Sequence, residues 1–152
     1  MDWNAKGYRV VRWGLWVIVF PILAGGCAHF GQADVAPQPE AFGTQSPLYS
    51  GSVRAGNFLF TSGVLGTSDT GDIREGTREA LGGVQERVEA GGATMADVVK
   101  CTVFLVDMED YQGLNEVYVE FFPAPAPARS AVAVRELPAG AIVEVECIAA
   151  VL

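Results

Sequence analysis

Two residues near the carboxyl end of this chain have the chemistry to handle a small carboxylic acid. Arg129 follows the alternating run Pro123-Ala124-Pro125-Ala126-Pro127-Ala128. Proline fixes φ at about −65° and restrains the residue before it, so the run has little freedom and presents Arg129 at the mouth of a strand. The planar fork of an arginine held this way can grip a carboxylate through two parallel hydrogen bonds. Glu144 lies in Val143-Glu144-Val145-Glu146-Cys147, where the two glutamates share one face of a strand and the apolar residues share the other. A carboxylate there can poise a water for attack and move its protons. Each residue also has an ordinary reading, Arg129 as a surface ion-pair partner and Glu144 as the wet side of a sheet. Strand pairing alone does not bring the two together in one chain, which leaves a meeting across a subunit boundary.

The elements that must position them follow from periodicity. Tyr49–Val53 and Phe58–Val64 read as strands joined by the turn at Gly56-Asn57, with Ser62-Gly63 near the end of the second. Gly63 suits either a bulge or the close approach of a ligand to backbone. Ser68–Asp72 is a loop by composition, and its two aspartates do not make a calcium loop because no glutamate closes it at the twelfth position. Gly76–Ala90 has a helical stripe of Thr77, Leu81, Val84 and Val88, and its Gly82-Gly83 pair predicts close packing on a sheet. Val98–Val106 (VVKCTVFLV) reads as a central strand buried on both faces. Met108–Phe122 is a second helix with a stripe of Tyr111, Leu114, Tyr118 and Phe121, and Asn115 at the stripe's edge. Arg129–Val134 and Ile142–Val151 are the last strands. The order β-β-α-β-α-β-β predicts an α+β layer, a mixed sheet with two helices on one face. An apolar second face then predicts oligomerisation. Cys101 and Cys147 read as buried thiols, able to form a disulfide if the domain is exported and their strands lie close enough.

Composition narrows the chemistry. The 152 residues carry 18 acidic against 10 basic side chains, a net charge of −8, which argues against a nucleic-acid surface. The one histidine, His29, excludes a histidine zinc site and leaves no support for a Ser-His-Asp triad or two-histidine ribonuclease chemistry.

The amino terminus reads as a targeting segment. Lys6, Arg9 and Arg12 precede the uncharged run WGLWVIVFPILA and then Gly25-Gly26-Cys27. Leu23-Ala24-Gly25-Gly26-Cys27 resembles a lipoprotein box with its leucine one step out of place, so residues 1–26 read as a lipoprotein-type signal with Cys27 lipidated. A cleaved secretory leader and an uncleaved anchor are the alternatives. Residues 27–47 read as a flexible tether and 48–152 as the folded domain. These features predict an exported protein on the periplasmic face of a bacterial membrane, the outer one in a Gram-negative cell.

Several motifs together resemble the Rid family of reactive intermediate deaminases, also called RidA/YjgF and once labelled endoribonuclease L-PSP. They are Tyr49, Gly56-Asn57 before FLFTSG, VVKCTVFLVDMEDYQGLNEVYVEFF, Pro127-Ala128-Arg129-Ser130 and Val143 to Ala149. The resemblance implies a chorismate-mutase-like fold assembled as a homotrimer, with clefts between neighbouring subunits. It implies that Arg129 binds a substrate carboxylate, that Glu144 activates water, and that Tyr49, Ser62, Gly63 and Asn115 line the cleft. The implied reaction is hydrolysis of 2-imino acids, tautomers of enamines such as 2-iminobutanoate and 2-iminopropanoate, to 2-oxo acids and ammonia without metal or cofactor. The competing reading is an exported trimer that binds small ligands without turnover. Ala131 stands where the best-known subgroup has a cysteine, which bears on substrate range.

Overall fold

The computed structural model describes residues 38–122 and 124–151. The chain runs β1 (Glu40–Gln45), β2 (Ser50–Ala55), β3 (Phe58–Thr61), β4 (Val64–Gly66), α1 (Ile73–Ala90), β5 (Val98–Leu105), α2 (Tyr111–Phe121), β6 (Ala128–Ala133) and β7 (Val143–Ala150), with single 3-10 turns before β5, α2 and β7. One mixed sheet takes the order β1-β2-β3-β7-β5-β6, and β4 also pairs with β7. Only β5 and β6 run parallel; the other pairings are antiparallel.

The α+β layer expected from the sequence is the one observed, with two differences at its amino-terminal side. Residues assigned to the tether include a strand, because Glu40–Gln45 pairs antiparallel with β2. The segment is short and mostly exposed, so it has no alternation of apolar and polar residues to betray it. Residues 27–37 of the tether and the whole signal segment lie outside the described residues. The second difference is that Phe58–Val64 is not continuous. Phe60 opposes Ile148 and Val64 opposes Val145, so three residues, 61–63, face two on β7. That is a β-bulge, and the displaced backbone N–H of Cys147 donates instead to the hydroxyl of Thr61 at 2.9 Å.

The core lies between the sheet and its helices. Leu59, Val103, Leu105, Val143 and Val145 from the strands meet Leu81, Val84, Leu114 and Val117 from the helices, all fully buried. Asp72 caps α1 by accepting from the Arg74 N–H at 2.9 Å, which starts the helix three residues before the expected Gly76. Glycine lets α1 sit against the sheet. A Cβ on Gly83 would meet Val64, and one on Gly66 would overlap the Gly76 carbonyl, whereas Gly82 faces open space. The two helices are linked at the surface by Arg74–Glu116 at 2.7 Å and Arg78–Glu120 at 3.0 Å. The Glu116 hydrogen bond and charge together raise the Arg74 guanidinium's affinity for its proton.

Cys101 and Cys147 oppose each other on β5 and β7 and form a disulfide, with Cα atoms 4.1 Å apart. Strand β5 is not apolar on both faces as expected. Cys101, Val103 and Leu105 point to the helices, while Lys100, Thr102 and Phe104 are half-buried on the other side. That side of the sheet is uncovered and carries Phe58, Phe60 and Val132 at 48%, 43% and 45% exposure.

Candidate active site

Arg129 is held by the second helix as much as by the prolines. It pairs with Cys101 across β5 and β6, so its side chain stands on the helix side of the sheet edge. Its Nη2 donates to the Asn115 Oδ1 at 2.7 Å and to the Tyr111 hydroxyl at 3.0 Å. The guanidinium lies over the Tyr118 ring, 4.5 Å from its centroid, and near Tyr111 at 5.4 Å. Burial of Tyr118 pushes its phenol up to about 12, against a lowering by the Arg129 charge. Among the described residues Arg129 makes no ion pair. Asn115, Tyr118, Val119, Ala126, Pro127 and Arg129 line an open hollow of about 330 Å³.

Glu144 occupies a second hollow, of about 360 Å³, lined by Tyr49, Ser62, Gly63, Leu65, Pro138 and Glu144. The bulge builds it. A Cβ on residue 63 would overlap the Glu144 carboxylate, so only glycine lets that carboxylate sit against the backbone. Gly63 thus lies in a bulge, one of the two readings its position allowed, and the group seated against its backbone is the Glu144 side chain. Ser62 is anchored to β2 through its N–H to Gly51 O at 2.9 Å and its hydroxyl to Ser50 O at 2.7 Å. The Arg87 guanidinium of α1 donates from Nη1 to both the Ser62 and Gly63 carbonyls, at 2.7 and 2.9 Å.

The predicted site residues therefore fall into two groups on one chain. Arg129 and Asn115 form one; Tyr49, Ser62, Gly63 and Glu144 form the other. Side chains alternate along a strand, and cross-strand partners share a face. Glu144 is three residues from Cys147, the partner of Cys101, and so lies on the face opposite Arg129. Arg87, Tyr111 and Tyr118 were missed in their site roles. The tyrosines read as core stripe, although Tyr111 is 38% exposed and turns its hydroxyl to Arg129. Cys27 lies outside the described residues. Among the described residues no cluster of His, Cys, Asp and Glu could hold a metal ion.

Known proteins decide the ancestry of this arrangement. Residues 40–151 match the family model Endoribonuclease L-PSP. The chain belongs to the Rid (YjgF, endoribonuclease L-PSP) family. A Rid relative named 2-iminobutanoate/2-iminopropanoate deaminase, from Dermatophagoides farinae, is 42% identical over 75% of this chain and 89% of its own. Reactive Intermediate Deaminase A, chloroplastic, from Arabidopsis thaliana is 42% identical over 66% of this chain and 57% of that longer protein. Among solved structures, yeast Mmf1 superposes with a TM-score of 0.70 at 28% identity, covering 76% of this chain and all of that one (100%). RidA from an Antarctic Psychrobacter gives 0.65 at 34% identity, over 73% and 94%.

These relatives correct the expectation of export. Those whose names state a compartment are chloroplastic in Arabidopsis and mitochondrial in Schizosaccharomyces pombe, not lipoproteins outside a cell. The reading failed because a basic, then apolar, then small-residue pattern marks many amino-terminal segments and is weak without structure behind it. With it goes the basis for an exported, non-catalytic binding trimer. No helix among the described residues is long and apolar enough to cross a membrane.

Proposed function

We propose that this Rid protein hydrolyses 2-imino acids to 2-oxo acids and ammonia, at sites each built from two subunits of a homotrimer. The observation that carries this reading is Arg129: a guanidinium fixed by Asn115, Tyr111 and Tyr118, opening into a hollow, with no carboxylate paired to it among the described residues of a chain of net charge −8. Such a group is pre-organised for a planar anion. The deaminase names of the mite and Arabidopsis relatives favour the same substrate class.

Arg129 grips the substrate carboxylate and aligns the imine carbon. Glu144 of the neighbouring subunit, seated against Gly63, holds a water and takes its proton as oxygen bonds to that carbon. The same carboxylate returns that proton to nitrogen, which gives a carbinolamine; it then takes the hydroxyl proton and passes it to the amine, and the C–N bond breaks as the carbonyl forms and ammonia leaves. The imine carbon is already electrophilic, so no covalent nucleophile is required. The uncovered sheet face with Phe58, Phe60 and Val132 is the surface the trimer buries.

The test is a coupled assay. An amino-acid oxidase generates the imine, semicarbazide traps it, and the protein competes with the trap. Wild type is expected to suppress trapping and Arg129→Ala to leave it untouched. Equal behaviour of the two proteins rejects the proposal.

A further inference from the structure

The bulge at residues 61–63 leaves a question of hydrogen bonding that α1 answers. The Thr61 hydroxyl takes the Cys147 N–H, so the carbonyls of Ser62 and Gly63 are turned away from β7. Both accept from a single nitrogen, Arg87 Nη1, at 2.7 and 2.9 Å. Arg87 is itself fixed at the other end, because its backbone carbonyl accepts from the Ser52 hydroxyl at 3.2 Å and from the Gly91 N–H at 3.3 Å. The hollow on its outer side is lined by Glu79 and Glu86, yet among the described residues Arg87 makes no ion pair with either. A guanidinium in an acidic chain that serves two backbone carbonyls, with carboxylates at hand, is placed for those carbonyls.

We infer that Arg87 is a positioning residue of the Glu144 half-site: it pins the Ser62-Gly63 bulge and through Gly63 fixes the Glu144 carboxylate. The contact chain is short. The guanidinium holds the two peptide groups, and the Gly63 backbone is the surface on which the carboxylate rests. Nothing in that chain touches Arg129, which is on the other face of the sheet. Loss of Arg87 should therefore misplace the water-handling group and leave the carboxylate grip intact. A displacement of about 1 Å at a reacting centre is enough to cost on the order of a hundredfold in rate. The inference rests on the deaminase reading for its kinetic half only.

The experiment compares wild type, Arg87→Met and Arg87→Lys by steady-state kinetics and by amide hydrogen exchange. Arg87→Met is expected to lower kcat roughly ten- to hundredfold while KM stays within about twofold. Exchange should quicken at least about tenfold in the peptide spanning Thr61–Leu65 and stay unchanged in α2. Arg87→Lys, which keeps one charged donor, is expected to recover part of kcat and of the protection; a residue needed only for folding would show no such split between kcat and KM. An unchanged kcat, or a loss of kcat and KM together with protection intact at residues 61–65, overturns the inference. If Arg87→Met fails to fold, Arg87→Lys decides by the same two readouts. If wild type shows no turnover, the deaminase reading falls, and the exchange comparison alone decides whether Arg87 pins the bulge.

Discussion

Arg129 and Glu144 stand on opposite faces of one sheet. Arg129 is level with Cys101 on β5, and Glu144 is level with Phe104, three residues further along. Two strand spacings separate them sideways, roughly 10 Å, and the sheet itself lies between. No rotamer of either side chain can bring both to one small molecule within a protomer. A site that uses both needs a second copy of the chain, and the uncovered face with Phe58 and Phe60 supplies a surface for it.

The two groups should separate in kinetics. Arg129→Lys and Arg129→Ala are expected to raise KM, by about one to two orders of magnitude for the alanine, because a charge-assisted pair is worth on the order of 1.5–3 kcal/mol. Lysine should not rescue, since it lacks the fork. Glu144→Gln should instead lower kcat about 10²–10⁴-fold with little change in KM. Tyr111→Phe removes one of the two hydrogen bonds that aim Arg129 and should raise KM several-fold. Initial rates against imine concentration check all four.

Gly63 in the bulge and Gly66 at the end of β4 make opposite predictions. A Cβ on Gly63 meets a side-chain carboxylate that can swing aside, so Gly63→Ala should keep most of its stability and lose most of its kcat. A Cβ on Gly66 meets the Gly76 carbonyl, which cannot move without shifting α1. Gly66→Ala should therefore cost about 1–3 kcal/mol of stability, read from urea unfolding.

Tyr118 makes a pH prediction. Its hydroxyl is buried without a hydrogen-bond partner among the described residues, and burial pushes its phenol up to about 12 from an ordinary 10.0. A raised folded pKa means that the neutral phenol's stabilisation is complete below the unfolded value and is lost as pH rises through the folded one. Wild type should thus lose stability between about pH 10 and 12 by a step that Tyr118→Phe lacks. At neutral pH the phenylalanine variant should be no less stable, because it removes an unsatisfied polar atom and keeps the ring under Arg129. Urea midpoints at pH 7, 9 and 11 for both proteins test this.

Much of this was legible in the residue pattern, for identifiable reasons. The α1 stripe and the alternation in Val143–Cys147 are strong periodic signals, and the helix and strand they predict are present. The pattern could not show that Phe58–Val64 breaks at a bulge, because a bulge changes which backbone groups pair and not which residues are apolar. Arg87 was invisible for the same cause: its partners are carbonyls, which carry no sequence signature. A basic residue next to the buried Val88 was the one available hint. Tyr111 and Tyr118 fit the helical stripe so well that their second task beside Arg129 was masked.

The disulfide between Cys101 and Cys147 closes a loop with a sequence separation of 46. Loop-closure entropy for that length is worth about 4 kcal/mol, with 2–4 typical in practice. Urea unfolding with and without a dithiol reductant should differ by about that much. Coincident curves would mean that the bridge contributes nothing.

The division of one site between two chains is tested most directly by mixing. Arg129→Ala and Glu144→Gln, each strongly impaired alone when assayed at imine concentrations well below KM, are unfolded together in equal amounts and refolded. If each site takes its arginine from one subunit and its glutamate from the next, about a quarter of the sites in the mixture carry both intact groups, whatever the ring size. The account predicts recovery of about one quarter of wild-type activity. A mixture as inactive as its parents, in oligomers shown to have exchanged subunits, would contradict it.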